Sequence, residues 1–455
     1  MKLFDDTIIG ISTALSKGAI SIIRLSGDDA IKIVNKVFKG IDLSKVEPNT
    51  INYGHIVDFD SCQIIDEVLV SIFKAPKSYT KEDVVEINCH GGLFVTNKIY
   101  EQLVLLGARP SEPGEFTKRA FLSGRIDLTK AEAVMDVINA ENSAALKIAN
   151  SALNGKISTF VDQKRHELLD IIATISVNID YPEYDDVEQL TNEDILPKLK
   201  TIKLELEDVL NNAKSAKLLK NGINTVIVGK PNVGKSSLLN TLIGENKAIV
   251  TNIPGTTRDI VEASINLGQV TLNLIDTAGI RITEDVVEKI GVEKSKEQIN
   301  KADIILCVLD GSEPINEQDK EILNEIKNKC HLTIINKIDL EQKINLGEVD
   351  DNVLFISTKN NNTIKELENK ILETLNLNNL FNKDITYISN ARQLEKINFA
   401  IKALDEALTT IENEATIDFV DIDIRKAWLY LGEIVGQTST DNLLDELFSK
   451  FCLGK

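Results

Sequence analysis

No stretch of about 18 apolar residues, the least that spans a bilayer as a helix, occurs in the 455-residue sequence. Its start, Met-Lys-Leu-Phe-Asp-Asp-Thr-Ile, places acids where a secretory leader needs a basic segment and an apolar run, so a cytoplasmic location without a membrane is expected. Cysteine is sparse and unpatterned. Cys62, Cys89, Cys307, Cys330 and Cys452 form no Cys-x-x-Cys pair, and their odd number argues against a disulfide framework or a zinc site. Four of them are expected to be small apolar fillers. Proline and glycine are not in excess, at 9 and 24 residues, which excludes a chain disordered by composition. Positive charge is also short, 51 Lys and Arg against 70 Asp and Glu for a net charge of -19. That balance excludes general nucleic-acid binding, because affinity for phosphate backbones comes from clustered Lys and Arg. One local exception is expected to offer an RNA contact: Arg109, Lys118, Arg119, Arg125 and Lys130 stand against three acids between Arg109 and Lys130.

What is present is the composition of a globular protein, 43% hydrophobic and 27% charged. At about 150 residues per domain the length predicts two to four domains. Strand-like runs (Ile20 to Leu25, Glu67 to Ile72, Val84 to Ile87) mixed with helical ones (Ala30 to Phe38, Leu93 to Leu106) predict an α/β domain over residues 1–118. Helical spacing then takes over in a domain whose first part covers 119–220. Its apolar stripe runs through Ala131, Val134, Met135 and Ile138, then Leu146, Ala149 and Leu153, then Leu168, Ile171, Ile172 and Ile175, with one interruption around Tyr181 to Asp186. Near Asn221-Gly222 the period changes to two, and strands alternate with helices over 221–381, the pattern of a doubly wound module. Helical spacing returns over 382–455, with Ser439 or Thr440 placed to cap the last helix. The simplest architecture inserts the doubly wound module in a loop of one helical domain.

Gly229-Lys-Pro-Asn-Val-Gly-Lys-Ser236 fits G-x-x-x-x-G-K-[ST] between a predicted strand and the helical run that begins at Ser237. Backbone N–H groups of Asn232, Val233 and Gly234 would close around phosphate oxygens, Lys235 would add a point charge, and Ser236 would offer a hydroxyl to Mg²⁺. Asp276, Thr277, Ala278 and Gly279 end a predicted strand, which lets Asp276 hold Mg²⁺ through water while the Gly279 amide senses the γ-phosphate. Between these lies a loop of Thr251, Asn252, Ile253, Pro254, Gly255, Thr256 and Thr257, whose Thr257 would reach Mg²⁺ when γ-phosphate is present. Alone it reads as a Pro-Gly turn.

Asn336, Lys337, Ile338 and Asp339 follow a predicted strand, and here the chemistry selects the nucleotide. A carboxylate at Asp339 accepts from guanine N1–H and the exocyclic amine, whereas adenine would leave that charge unpaired, so GTP is preferred to ATP. Ser357, Thr358 and Lys359 come where the remaining base contact is expected. Directly after Gly279, where many GTPases have a water-orienting glutamine, stands Ile280. Glu288 is a candidate general base, although taken alone it reads first as a solvated helix charge. Cys452, in a Phe-Cys-Leu-Gly-Lys455 end, reads either as a reactive thiol beside positive charge or as part of a frayed terminus.

With these residues in hand, the whole chain resembles the MnmE (TrmE) family of tRNA-modification GTPases. The resemblance is carried by Ile-Arg-Leu-Ser-Gly27, His-Gly-Gly92, Pro113-Gly-Glu-Phe-Thr-Lys-Arg-Ala-Phe-Leu122, Gly-Arg-Ile-Asp-Leu-Thr-Lys-Ala-Glu-Ala133, the GTPase set and the terminal Phe-Cys-Leu-Gly-Lys. It implies a multidomain α/β and all-α fold: an N-terminal folate-binding domain, a helical domain and an inserted Ras-like GTPase domain. It also implies a homodimer and a heterotetramer with the flavin protein MnmG. Together these would place an aminomethyl or carboxymethylaminomethyl group on carbon 5 of the wobble uridine of certain tRNAs, with 5-formyl- or methylene-tetrahydrofolate supplying the carbon. Carried over by motif, Arg24, Glu86, Arg125 and Lys455 would contact the folate, Cys452 would be reactive, and Glu288 would help to position water. K⁺ would take the place of an arginine finger, with Asn232, Thr251, Ile253 and Thr256 around it. Ser12-Thr-Ala-Leu-Ser-Lys-Gly18 departs from the family by lacking its Pro-Gly and Gly-Gly pairs, and Arg125 stands where a lysine is also common. The rival function is a GTP-dependent switch in ribosome assembly without chemistry on RNA. Such a factor is expected to carry a basic RNA-binding domain, which this acidic chain lacks.

Overall fold

Alternation of buried and exposed positions builds the first sheet, as the two-residue period of a strand requires. In β2 (Ile20–Ser26) Ser21, Ile23 and Leu25 are buried while Ile20 is exposed. This computed structural model describes residues 5–180, 192–245, 261–275, 298–349, 351–358, 363–377, 388, 390–413, 416–437, 441–451 and 454. The remaining strands of the sheet are β1 (Ile8–Ile11), β3 (Phe38–Lys39), β4 (Thr50–Val57), β5 (Ile64–Phe73), β6 (Val84–His90) and β7 (Arg109–Pro110). Their order is β3-β4-β5-β6-β2-β1-β7, antiparallel throughout except for the β1–β7 pair. Helices α1 (Ala30–Asn35) and α2 (Leu93–Leu105) contribute to the apolar core of this sheet through Ile31, Val34, Ile99 and Leu103. The helix expected over Ala30 to Phe38 stops short. Asn35 turns its side chain onto the Leu43 amide (2.9 Å), and Phe38 joins β3 with its ring in the core.

The chain divides into two compact units. The first comprises Met1–Met135, Leu153–Leu169 and Trp428–Lys455, and the second Asp136–Ala152 and Asp170–Ala427. In the first, α3 (Glu115–Leu122) and the start of α4 (Leu128–Ile138) meet α13 (Asp441–Ser449), where Phe448 and Phe451 pack with Leu128 and Ala131. The C-terminal segment is thereby brought back to the N-terminal sheet's unit.

In the second unit the central strand β11 (Ile304–Asp310) is buried along its whole length, which is the signature of a parallel strand covered on both faces. It lies in a six-stranded sheet with β8 (Ile223–Val228), β9 (Val261–Leu267), β10 (Val270–Ile275), β12 (His331–Asn336) and β13 (Val353–Phe355). The order is β13-β12-β11-β8-β10-β9, parallel except for the β9–β10 hairpin, so the connections reverse direction around β8. In such sheets ligands bind beyond the carboxyl ends of the strands at that reversal. Helices of this unit are α5 (Ser143–Leu153), α6 (Lys156–Asp180), α7 (Asn192–Asn221), α8 (Lys235–Glu245), α9 (Glu317–Ile326), α10 (Thr363–Thr374), α11 (Ala391–Glu412) and α12 (Ile417–Val435), with α5, α6 and α12 each running partly into the first. The last turn of α7 yields to β8 at Gly222, whose φ of +84° ends the helix. Helices α7 and α11 pack side by side, joined at Lys203 and Asp405 (2.5 Å).

Ala144 and Ile148 of α5 share one core with the strands of this sheet, and Asn142 ahead of them donates to the Thr271 hydroxyl (3.0 Å) and the Leu219 carbonyl (3.2 Å). Helical residues thus hold the β9–β10 hairpin directly. Two positions of the expected apolar stripe differ: Ile138 and Leu146 are 42% exposed, and in α5 the buried face runs through Ala144, Ala145 and Ile148 together with the expected Ala149. The cysteines also differ from expectation. Cys89 and Cys307 are buried, but Cys62 and Cys330 are exposed and fill no core. The interruption around Tyr181 to Asp186 and the Ser439 and Thr440 caps lie outside the described residues.

Candidate functional site

Residues 229–234 leave β8 at its carboxyl end and enter α8 with left-handed backbone at Gly229 (φ +149°), Asn232 (φ +65°) and Gly234 (φ +104°). Such alternation turns successive N–H groups to one side and forms an anion nest at a helix N-terminus. A Cβ at Gly229 would run into the Val308 carbonyl, and one at Gly234 into the Asn336 amide, so both positions need glycine for space as well as for φ. Lys235 Nζ donates to the Gly229 and Lys230 carbonyls (2.5 and 2.6 Å), and burial lowers its pKa from the ordinary lysine value. Val233 is buried, Ser236 half-buried, and Asn232 and Ser237 are exposed.

The guanine-reading candidates converge on this loop. Asn336, 1% exposed, donates from Nδ2 to the Val233 carbonyl (2.9 Å), while its Oδ1 is buried and has no hydrogen-bond partner among the described residues. Lys337 has a left-handed φ of +64°, and its Nζ donates to Asp310 Oδ2 at 2.5 Å. Asp339 Oδ1 accepts from Ser357 Oγ (2.9 Å), and the Thr358 carbonyl accepts from Thr241 of α8 (3.4 Å). Segments far apart in sequence therefore meet around one crevice: residues 229–237, 336–339 and 357–358. Thr251, Asn252, Ile253, Pro254, Gly255, Thr256, Thr257, Asp276, Thr277, Ala278, Gly279, Ile280, Glu288 and Lys359 lie outside the described residues.

Two supports escaped the sequence reading. Lys230, a variable position of the phosphate-loop pattern, pairs with Glu313 (3.1 Å) and the buried Asp319 (3.2 Å) at the start of α9. The signal was available in Asn316-x-x-Asp319, which forms a capping box there. Asp310 is the other. Burial pushes its carboxyl up, but Lys337 and the Ser312 hydroxyl outweigh this and hold it below the usual carboxylate range.

In the first unit Arg24 and Glu86 face each other across the β2–β6 ladder, with Arg24 Nε to Glu86 Oε1 at 2.8 Å and the guanidinium 5.7 Å from the Phe116 ring centre. Arg24 also donates to the Gly454 carbonyl (3.3 Å), as does Ser12 Oγ (3.1 Å). Gly454, with φ +80°, lies so close to Ile11 and Ser12 that a side chain there would strike backbone. Gly454 of the tail thus lies against β1, beside two residues expected to contact folate. Arg125 instead lies over the Tyr79 ring at 5.0 Å, and Cys452 and Lys455 lie outside the described residues.

The basic segment expected to touch RNA is largely consumed internally. Arg119 is 1% exposed and meets Asp6 (2.6 Å), Glu82 (3.1 Å) and Glu115 (3.1 Å). Arg109 pairs with Asp6 and Glu115, Lys118 with Asp445, and Lys130 with Asp127. Those acids lie mostly outside the segment, so a local charge count could not foresee the neutralisation.

Family models described as "MnmE helical domain" and "GTP-binding protein TrmE N-terminus" match residues 128–452 and 7–125. The "tRNA modification GTPase MnmE" of Bacillus cytotoxicus is 49% identical over 455 residues, covering 99% of each chain. The chain belongs to the MnmE family. The MnmE of Bacillus mycoides is equally similar, 49% over 455 residues and 99% of both chains. Among solved structures, Era in complex with MgGDPNP and 16S ribosomal RNA nucleotides resembles 40% of this chain and 66% of its own, at 32% identity and a TM-score of 0.27. Membership of the MnmE family makes the chain a GTP-binding GTP hydrolase of tRNA modification. No helix among the described residues is long and apolar enough to cross a membrane.

Proposed function

We infer that this GTPase is activated by K⁺ and acts with a flavin-dependent MnmG partner on carbon 5 of the wobble uridine of certain tRNAs, taking a one-carbon unit from a tetrahydrofolate. The observation that carries the reading is the convergence of the phosphate loop and the base-reading loop at the Asn336–Val233 bond (2.9 Å). The nest at 229–234 and the buried Asn336 Oδ1, unpartnered among the described residues, fit a nucleotide, and Ser236 stands where a hydroxyl would hold Mg²⁺. Bound Mg²⁺ would offset charge on the β- and γ-phosphates. Lys235 would exchange its carbonyl partners for phosphate oxygens, and Asp339 would accept the guanine N–H donors. Thr257 would close the metal site, and Glu288 would orient water in place of the glutamine that Ile280 replaces.

Asn232 is exposed at the loop's left-handed tip, which suits a side-chain ligand to K⁺ shared with Thr251, Ile253 and Thr256 across a pair of associated GTPase domains. The homodimer would be formed through N-terminal domains. For the folate, Arg24 and Glu86 combine a cation and an anion at the sheet, with the tail's Gly454 beside them, a setting that suits a ligand carrying both donors and carboxylates. Arg125, Lys455 and the Cys452 thiol would complete that site. The reading retains the segments 1–118, 119–220, 221–381 and 382–455 as folate-binding, helical, GTPase and second helical parts of a cytoplasmic protein. GTP hydrolysis measured in matched KCl and NaCl tests it. About tenfold or more acceleration in KCl is expected, the service an arginine finger performs being larger still; equal rates would remove K⁺ from the mechanism.

A further inference from the structure

We propose that Asp310 is a positioning residue for guanine recognition, holding Lys337 in its left-handed conformation so that Asn336 and Asp339 flank the base. This rests on the reading of 336–339 as the base-reading loop. Lysine rarely adopts φ near +64°, where its Cβ crowds the following carbonyl, so something must hold it. Asp310 provides that hold. Its Oδ2 accepts from Lys337 Nζ at 2.5 Å, in a residue only 7% exposed. Its Oδ1 accepts from the Ser312 amide (3.0 Å) and hydroxyl (2.6 Å), which fixes the carboxylate plane.

The turn that follows β11 is bound to the base-reading loop by backbone as well. Gly311 N–H donates to the Asn336 carbonyl (2.9 Å), and Lys343 N–H to the Gly311 carbonyl (2.8 Å). Gln342 Nε2 closes the loop on the Lys337 and Leu340 carbonyls (3.1 and 2.9 Å). Residues 310–312 and 336–343 thus form one clasp, in which the Gln342 amide holds the Lys337 carbonyl and, among the described residues, the Asp310 carboxylate holds the Lys337 side chain. Without the charge at 310, Lys337 is free to relax toward negative φ. That rotation would move Asp339 away from the position Ser357 supports, two residues further on.

The test is titration of the full chain with fluorescent GTP and GDP, alongside steady-state hydrolysis. Asp310→Asn keeps the shape and the Ser312 contacts but loses the charge. We expect both nucleotides to bind about tenfold more weakly, with KM raised and kcat at saturating GTP within about twofold, as for loss of one charge-assisted hydrogen bond. Asp310→Glu should recover most of the affinity, and Ser312→Ala, which only loosens the carboxylate, should weaken binding about threefold. A merely structural role would lower the thermal midpoint and the active fraction while leaving KM unchanged, and that result, or wild-type affinity in both Asp310→Asn and Ser312→Ala, overturns the proposal. Asp339→Asn, titrated with GTP and XTP, separates the two claims. Failure to shift preference toward XTP removes the base-reading assignment and the proposal with it, whereas a clear shift alongside wild-type binding by Asp310→Asn removes only the role of Asp310.

Discussion

Gly234 shows how much one missing side chain does. Its φ of +104° and the Asn336 amide beside it each exclude a Cβ, one through backbone strain of about 1–3 kcal/mol and the other through overlap. Gly234→Ala is therefore expected to weaken guanine-nucleotide binding at least tenfold, read by equilibrium titration; wild-type affinity would mean that Asn336 can withdraw without leaving the base. Much at this scale was legible in the sequence, because a phosphate nest is made by backbone and its glycines stand in the motif itself. Lys230 and Asp310 were not, since their partners Asp319 and Lys337 come from other strands and loops, and only the folded sheet brings them within 3.2 and 2.5 Å.

Among the elements, the junction of α3 with the N-terminal strands combines a charge network with the packing of the fully buried Phe116 and Ala120. Arg119 is buried among Asp6, Glu82 and Glu115, so Arg119→Met would remove one partner from each while Arg109 stays on Asp6 and Glu115 and the Ser26 hydroxyl on Glu82, at about 1–3 kcal/mol. A clear fall in the thermal midpoint is expected; an unchanged midpoint would show that water reaches those acids. Burial raises the Asp6 and Glu115 carboxyls, but their arginine partners outweigh it and leave both below the usual range. Depressed carboxylates stabilise the fold above their unfolded pKa and cease to do so as pH falls through the folded value. The midpoint should therefore hold near neutrality and drop between about pH 4.5 and the depressed values below it. A midpoint that rises on acidification would contradict the network. None of this was legible from the charge count over Arg109 to Lys130, because Asp6, Glu82 and Asp445 lie remote in sequence from the cations they neutralise.

For the whole molecule, two features separate this chain from a free-standing GTPase module. Ala144 and Ile148 of α5, with Asn142 just ahead of them, are built into the core and hydrogen bonds of the doubly wound sheet, and the C-terminal segment returns to β1 at Gly454. The change of period near Gly222 was readable in the sequence, as was the sheet's alternation of strands and helices. The tail's return was not, for it depends on Phe448 and Phe451 seating against Leu128 and Ala131, a contact across most of the chain. That return places the residue next but one after Cys452 beside Arg24, and it is the physical reason to expect chemistry remote in sequence from the nucleotide. The most direct test of the account is nucleoside mass spectrometry of tRNA from cells that lack the protein and carry either the wild-type chain or Cys452→Ser, with GTP hydrolysis of both purified proteins measured in parallel. The account predicts equal hydrolysis and a modified wobble uridine only with the wild type. Normal modification with Cys452→Ser, or with no chain supplied at all, would contradict it.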